Sequence, residues 1–209
     1  MKRHLATHGG AILLGLGLAM AHADDVDAVS RSAAQRVAVG TCATCHGAQG
    51  HSLSPKFPVL AGQHAPYLAA QLQAFKAQTR GDPDALGYMW GMAAPLSDAL
   101  MLALADYYSR QAPVAGPMGA AALTTRGKDI YLNGDGAAGV PPCAACHGPA
   151  AAGTDDFPRL AGQHVQYLIK QLRSFQNNMR NVAVMHGVAR GLQLNDMEAV
   201  ATYLQALGP

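Results

Sequence analysis

The 209-residue sequence predicts an all-α fold built from two tandem copies of one small domain. Three observations carry that expectation. The block Phe57-Pro58-Val59-Leu60-Ala61-Gly62-Gln63-His64 returns as Phe157-Pro158-Arg159-Leu160-Ala161-Gly162-Gln163-His164. Apolar residues recur at helical spacing, Tyr67, Leu68, Leu72 and Phe75 being matched by Tyr167, Leu168, Leu172 and Phe175, and no strand-like alternation of any length is present. The five-residue pattern Cys42-Ala43-Thr44-Cys45-His46 also has one counterpart, Cys143-Ala144-Ala145-Cys146-His147.

The elements follow in order. Lys2, Arg3 and His4 open the chain, residues 11–20 are apolar, and Ala21-His22-Ala23 precedes Asp24 and Asp25. A basic start, a short apolar run and a small-x-small site predict a signal peptide over residues 1–23, cleaved on export. The run is short for a membrane span, and no later segment resembles one, so the mature chain is expected in the periplasm. The first domain, residues 24–111, should hold a helix near 28–39 leading into the first cysteine motif. A second helix starts near Tyr67, and a last one covers 98–109 with Ser97 as its cap. Residues 112–122 are rich in Pro, Gly and Ala without periodicity and read as a linker. The second domain, residues 123–209, repeats the plan with helices near 125–132, from Tyr167, and over 195–207 with Asn195 as cap. The repeat also pairs Gln71 and Arg80 with Gln171 and Arg180, and Met89-x-Gly91 with Met185-x-Gly187. A domain of roughly 90 residues can form its own core, and a large buried cofactor would help it.

Cys-x-x-Cys-His is the c-type haem attachment pattern. Two thiols at this spacing can add to the two vinyl groups of one porphyrin, and the next histidine can ligate iron from below. All four cysteines of the chain fall in these motifs. A four-cysteine zinc site would leave both histidines without a purpose. A thioredoxin-like pair would need a βαβ context that is missing, and a two-residue gap is strained for a structural disulfide. Two covalently bound haem c groups are therefore expected, on Cys42 and Cys45 and on Cys143 and Cys146, with His46 and His147 as axial ligands.

Without Lys2 and Arg3, basic and acidic residues are equal in number. No basic stripe points to nucleic acid and no charge run to a disordered tail. Gly134-Asp135-Gly136-Ala137-Ala138-Gly139 matches a dinucleotide fingerprint in letters only; it follows a helix rather than a strand and runs into Pro141-Pro142.

Taken together, the tandem Cys-x-x-Cys-His, the doubled Phe-Pro-x-Leu-Ala-Gly-Gln and the two Met-x-Gly segments resemble the dihaem cytochrome c4 family over essentially the whole mature chain. That resemblance implies two class-I-like cytochrome c domains related by a pseudo-twofold axis, with haems facing each other across the interface. It also implies periplasmic electron transfer, often toward a terminal oxidase.

The sixth iron ligands should occupy equivalent positions in a duplicated chain. Met92, Met179, His51 and His186 lack a counterpart of their own type and drop out, which leaves Met89 with Met185, Met101 with Met197, and His64 with His164. Met101 and Met197 sit among apolar helix residues, where methionine is usually a flexible filler. Met89 and Met185 lie in glycine-containing connections before the last helix, where the family places its methionine ligand, and are the expected ligands. His64 and His164 are the rival, with a reading as polar residues entering their helices favoured. A His/Met pair raises the reduction potential. In related cytochromes a proline carbonyl orients the proximal imidazole, a role that would fall to Pro58 and Pro158, with Leu60, Leu160, Phe57 and Phe157 packed near the haem.

The function expected is electron transfer by a soluble carrier between redox proteins, an upstream donor and a terminal oxidase, with membrane association open through partners or an uncleaved signal. The alternative is the electron-transfer subunit of a dehydrogenase, of the flavocytochrome kind. A dihaem peroxidase would need one open iron site, and equivalent methionines in both halves argue against it.

Overall fold

The computed structural model describes residues 27–154 and 157–209; the expected signal peptide lies outside them. Helix α1 (Ala28–Val37) starts at Asp27, whose carboxylate accepts the Ser30 N–H at 2.7 Å. It runs on through a π-turn, Ala38–Cys42, into the one-turn helix α2 (Ala43–His46). Next come α3 (Ala65–Lys76), the π-turn Ala85–Met89 with α4 (Trp90–Ala93), and α5 (Asp98–Ser109). Ser97 caps α5 by accepting the Leu100 N–H at 3.2 Å. The second half contains α6 (Ala121–Asn133), α7 (Ala144–His147), α8 (Val165–Gln176), α9 (Ala183–Ala189) and α10 (Leu194–Ala206). Among the described residues the only extended pairing is an isolated bridge, Asp135 to Val140.

Two details differ from the sequence expectation. Helix α6 begins at Ala121, inside the stretch read as linker, because Ala121-Ala122-Leu123 are strong helix formers once Pro117 and Gly119 are passed. Helix α10 is capped by Gln193 rather than Asn195, which falls in its first turn. The Gln193 side chain accepts from the Asp196 backbone, and the Asp196 carboxylate accepts the Gln193 N–H in return, a capping box.

Each half closes by packing its first helix on its last, α1 on α5 and α6 on α10. Small residues allow the approach: Ala34 is fully buried, and a Cβ on Gly127 would stand 2.0 Å from the Ala199 carbonyl oxygen. The first core gathers Ala34, Ala38, Leu68, Leu104 and Tyr108, the second Ile130, Tyr131, Leu168, Met197 and Leu204. A main core in each half, with a small satellite cluster of Phe75, Ala85 and Ala93 in the first, is what a duplicated domain should give.

The halves are joined by reciprocal hydrogen bonds. Gln63 donates Nε2 to Arg159 O at 2.9 Å, and its Oε1 accepts Arg159 N–H at 2.8 Å. Gln163 does the same to Val59, with both distances 2.9 Å. His64 Nε2 meets Ala152 O at 2.8 Å, and His164 Nε2 meets Ser52 O at 2.9 Å. Each contact maps onto its partner when the halves are exchanged, as a pseudo-twofold axis requires.

Candidate functional site

Each cysteine motif is a single helical turn. Cys42 closes the π-turn and is the N-cap of α2, which carries Cys45 and His46; Cys143 has the same relation to α7. Residues three apart on a helix lie on one face, so the two thiols of each motif point the same way. Gly47 and Gly148 end these turns with φ of +75° and +76°. At Gly47 a Cβ would lie 2.2 Å from the His51 carbonyl oxygen, so the reversal requires glycine.

None of the four cysteines is in a disulfide. Burial pushes the Cys42 thiol up and the Cys143 thiol up to about 11, which keeps both as thiols rather than thiolates at neutral pH. No group of three or more His, Cys, Asp and Glu side chains converges among the described residues, so the zinc reading has no site.

His46 and His147 are buried, and each Nδ1 lies 3.0 Å from a proline carbonyl, Pro58 O and Pro158 O respectively. A carbonyl can only accept, so Nδ1 carries the hydrogen and Nε2 keeps a free lone pair. Burial lowers both imidazole pKa values, against the proline bonds that raise them, and keeps the rings neutral. Phe57 and Phe157 set an edge against the rings, centroids 6.2 and 6.0 Å away. Leu60 with Cys42, and Leu160 with Cys143, border the two cores.

Met89 ends its π-turn half-buried, packed beside Trp90 against Phe75, Ala85 and Ala93. Met185 is half-buried within α9. Both stand on helical turns rather than in open connections. Met101 and Met197 are each 1% exposed and belong to the cores. His64 and His164 are the N-caps of α3 and α8, with Nε2 committed across the interface. His51 and His186 are likewise bonded, to Ala112 O and Phe175 O.

Each half thus offers two reduced thiols on one face, a neutral imidazole with its Nε2 lone pair free, and a half-buried thioether. That donor set fits a c-type haem, which is held by two thioether bonds and a nitrogen–sulfur axial pair. Two buried polar atoms have no hydrogen-bond partner among the described residues, Tyr108 Oη and Arg159 Nε.

The cytochrome c family model matches residues 32–110 and again 124–208. Cytochrome c4 of Stutzerimonas stutzeri is 39% identical over 211 residues, covering 94% of this chain and 97% of its own. The chain belongs to the dihaem cytochrome c4 family. The solved structure of cytochrome c4 from Acidithiobacillus ferrooxidans overlays with a TM-score of 0.76 at 40% identity, covering 79% of this chain and 98% of that one. The thiosulfate dehydrogenase electron acceptor of Thiomonas intermedia is 38% identical over 173 residues, 79% of this chain and 78% of its own. As a cytochrome c4 the protein carries two covalent haem c groups, transfers electrons between redox partners, and is not an enzyme. No helix among the described residues is long and apolar enough to cross a membrane.

The interface residues are what the sequence reading passed over. Gln63, Gln163, Tyr67, Tyr167, Arg80 and Arg180 were visible as repeats, and polar side chains repeated at equivalent positions were the available signal. Nothing local identified their partners, which lie about a hundred positions away in sequence.

Proposed function

We propose that this cytochrome c4 is a periplasmic carrier, exported through residues 1–23, that passes electrons one at a time toward a terminal oxidase. Cys42 and Cys45 would hold one haem c, with His46 and Met89 as the residues that ligate its iron. Cys143 and Cys146 would hold the other, with His147 and Met185. When bound, the groups supply reversible one-electron iron chemistry.

The chain's own residues set the conditions for that chemistry. The Pro58 and Pro158 carbonyls orient the imidazoles and make Nε2 a stronger base. The thioethers of Met89 and Met185 are neutral and polarisable and favour the ferrous state. Leu60, Leu160, Phe57 and Phe157 exclude water around the proximal rings. The observation that carries the ligand assignment is the engagement of the rivals: His64 and His164 spend Nε2 on carbonyls of the opposite half, while Met101 and Met197 fill cores. Bis-histidine ligation would have to break the interface in both halves.

A second reading keeps the haems and changes the setting. Likeness to the Thiomonas electron acceptor supports a role as electron outlet of a dehydrogenase. Native size after gentle extraction of untagged protein from its own periplasm separates the two. A free chain with two haems supports the carrier, whereas persistent co-purification with a flavin- or metal-containing subunit supports the dehydrogenase outlet.

A further inference from the structure

We propose that Arg159 is a cofactor-binding residue: its guanidinium engages a propionate carboxylate of the second half's haem c, and the first half has no equivalent. The inference deepens the haem seating proposed above and rests on it.

Arg159 Nε is buried with no hydrogen-bond partner among the described residues. An unmet buried donor on a charged group is costly, so its survival calls for an acceptor that the described residues do not supply. Arg80 has Asp82 and Arg126 has Asp196, but among the described residues no such carboxylate contacts the Arg159 guanidinium. Nη2 reaches only the neutral Gly208 carbonyl, at 3.0 Å. Burial pulls its pKa below the ordinary arginine value, as expected for a cation short of a counter-charge.

Its position selects the anion. Arg159 directly follows Pro158, whose carbonyl holds His147, and its backbone N–H and C=O are both clamped by Gln63 from the other half. The side chain is therefore anchored beside the second haem's proximal ligand, at the domain interface. A haem c brings two carboxylates, and a guanidinium pairs with a carboxylate in a fork geometry. The repeat equivalent is Val59, which can pair with nothing, so the device is specific to one half. A guanidinium on that propionate reduces the negative field at the iron and stabilises the ferrous state of the second haem over the first.

The test is the midpoint potential of each haem, measured by spectroelectrochemistry with the haems assigned by NMR, in intact protein carrying both haems. Arg159→Gln should lower the second haem's potential by the equivalent of about a tenfold loss of electron affinity, ~59 mV for one electron, and leave the first in place. Arg159→Lys should retain most of the wild-type value, and Val59→Arg should raise the first haem. Deleting residues 208–209 removes the Gly208 contact but keeps the charge, and should leave both potentials unchanged. An unmoved second haem, an equal shift in both haems, or a shift reproduced by the deletion overturns the assignment. Haem content and the methionine–iron absorption band are read on the same samples. A wild-type chain lacking haem on Cys143 and Cys146 overturns the seating and this inference together, while normal seating with unmoved potentials overturns this inference alone.

Discussion

Arg80 and Arg180, one from each half, hold Gln71 and Gln171 between them. Gln71 Oε1 accepts from Arg80 at 2.8 Å and from Arg180 at 2.9 Å, and Gln171 Oε1 accepts from both at 2.8 Å. Each guanidinium also stacks on its own phenylalanine, Phe75 or Phe175, at 4.7 and 4.6 Å. Two buried cations in one cluster repel, and the carboxylate inside it is Asp82, 2% exposed and 2.6 Å from Arg80 Nε. Removing one partner of a buried pair leaves the other charge uncompensated. Asp82→Asn should therefore destabilise the haem-loaded protein by about 3 kcal/mol, read as a lower denaturant midpoint with an unchanged slope.

The same carboxylate makes stability depend on acid. Burial alone would raise the Asp82 pKa, but the Arg80 charge and hydrogen bonds oppose it and hold the group below its ordinary value. A carboxylate with a depressed native pKa contributes stability above the unfolded value near ~4, lost as pH falls through the native one. Wild-type stability should decline on acidification below pH ~4, and Asp82→Asn should show a smaller decline over that interval. Equal slopes for the two proteins would exclude Asp82 as a source of the acid sensitivity.

Gln63 and Gln163 extend the joint by imitating a backbone unit, each closing a two-bond ring on the other half. Alanine at either position leaves a half-buried N–H and C=O unmatched, a loss of about 1 kcal/mol. The cost should fall on docking rather than on either domain's core. The prediction is faster proteolysis in residues 112–120 and weaker hydrogen-exchange protection of Val59 and Arg159, with haem absorbance unchanged.

Much of this was legible in the sequence for a physical reason: duplication, helical periodicity and a covalent attachment motif are local signals. Helix α5 occupies the expected residues 98–109, with Ser97 as its cap, because apolar periodicity and a strong cap coincide there. The cap of α10 was missed because glutamine is a weak cap by itself; it works at Gln193 through the reciprocal Asp196 bond. The π-turns that end at Cys42 and Met89 were also hidden, since an extra residue in a turn barely disturbs hydrophobic spacing. The interface was least visible. Its pairs, such as Gln63 with Arg159 and Gln163 with Val59, are 96 and 104 residues apart, and only the folded chain brings them together.

Gly127 tests how closely α6 and α10 must approach. An added Cβ would lie 2.0 Å from Ala199 O and 3.0 Å from the Tyr203 Cβ. The nearest atom is backbone and cannot rotate away. Gly127→Ala gains helix propensity worth up to about 1 kcal/mol, yet it should still destabilise the second half by about 1–3 kcal/mol because overpacking dominates. Thermal melts followed at the two haems should show the second losing its native environment first.

The ligand assignment makes the last prediction. If Met89 and Met185 supply the sixth ligands, Met89→Ala should abolish the methionine–iron absorption at one haem and Met185→Ala at the other. Each should lower the affected potential by at least about a tenfold change in electron affinity, ~59 mV. Loss of the soft neutral ligand removes a preference for ferrous iron, and water or a harder donor takes its place. Met101→Leu and Met197→Leu are controls of similar volume; they should keep both absorption bands and change stability by less than about 1.5 kcal/mol. His64→Asn and His164→Asn complete the test. Because their Nε2 atoms bond to Ala152 and Ser52 carbonyls, these variants should loosen the interface while leaving both methionine–iron bands intact. Loss of a band in a histidine variant, with the methionine variants silent, would reverse the assignment.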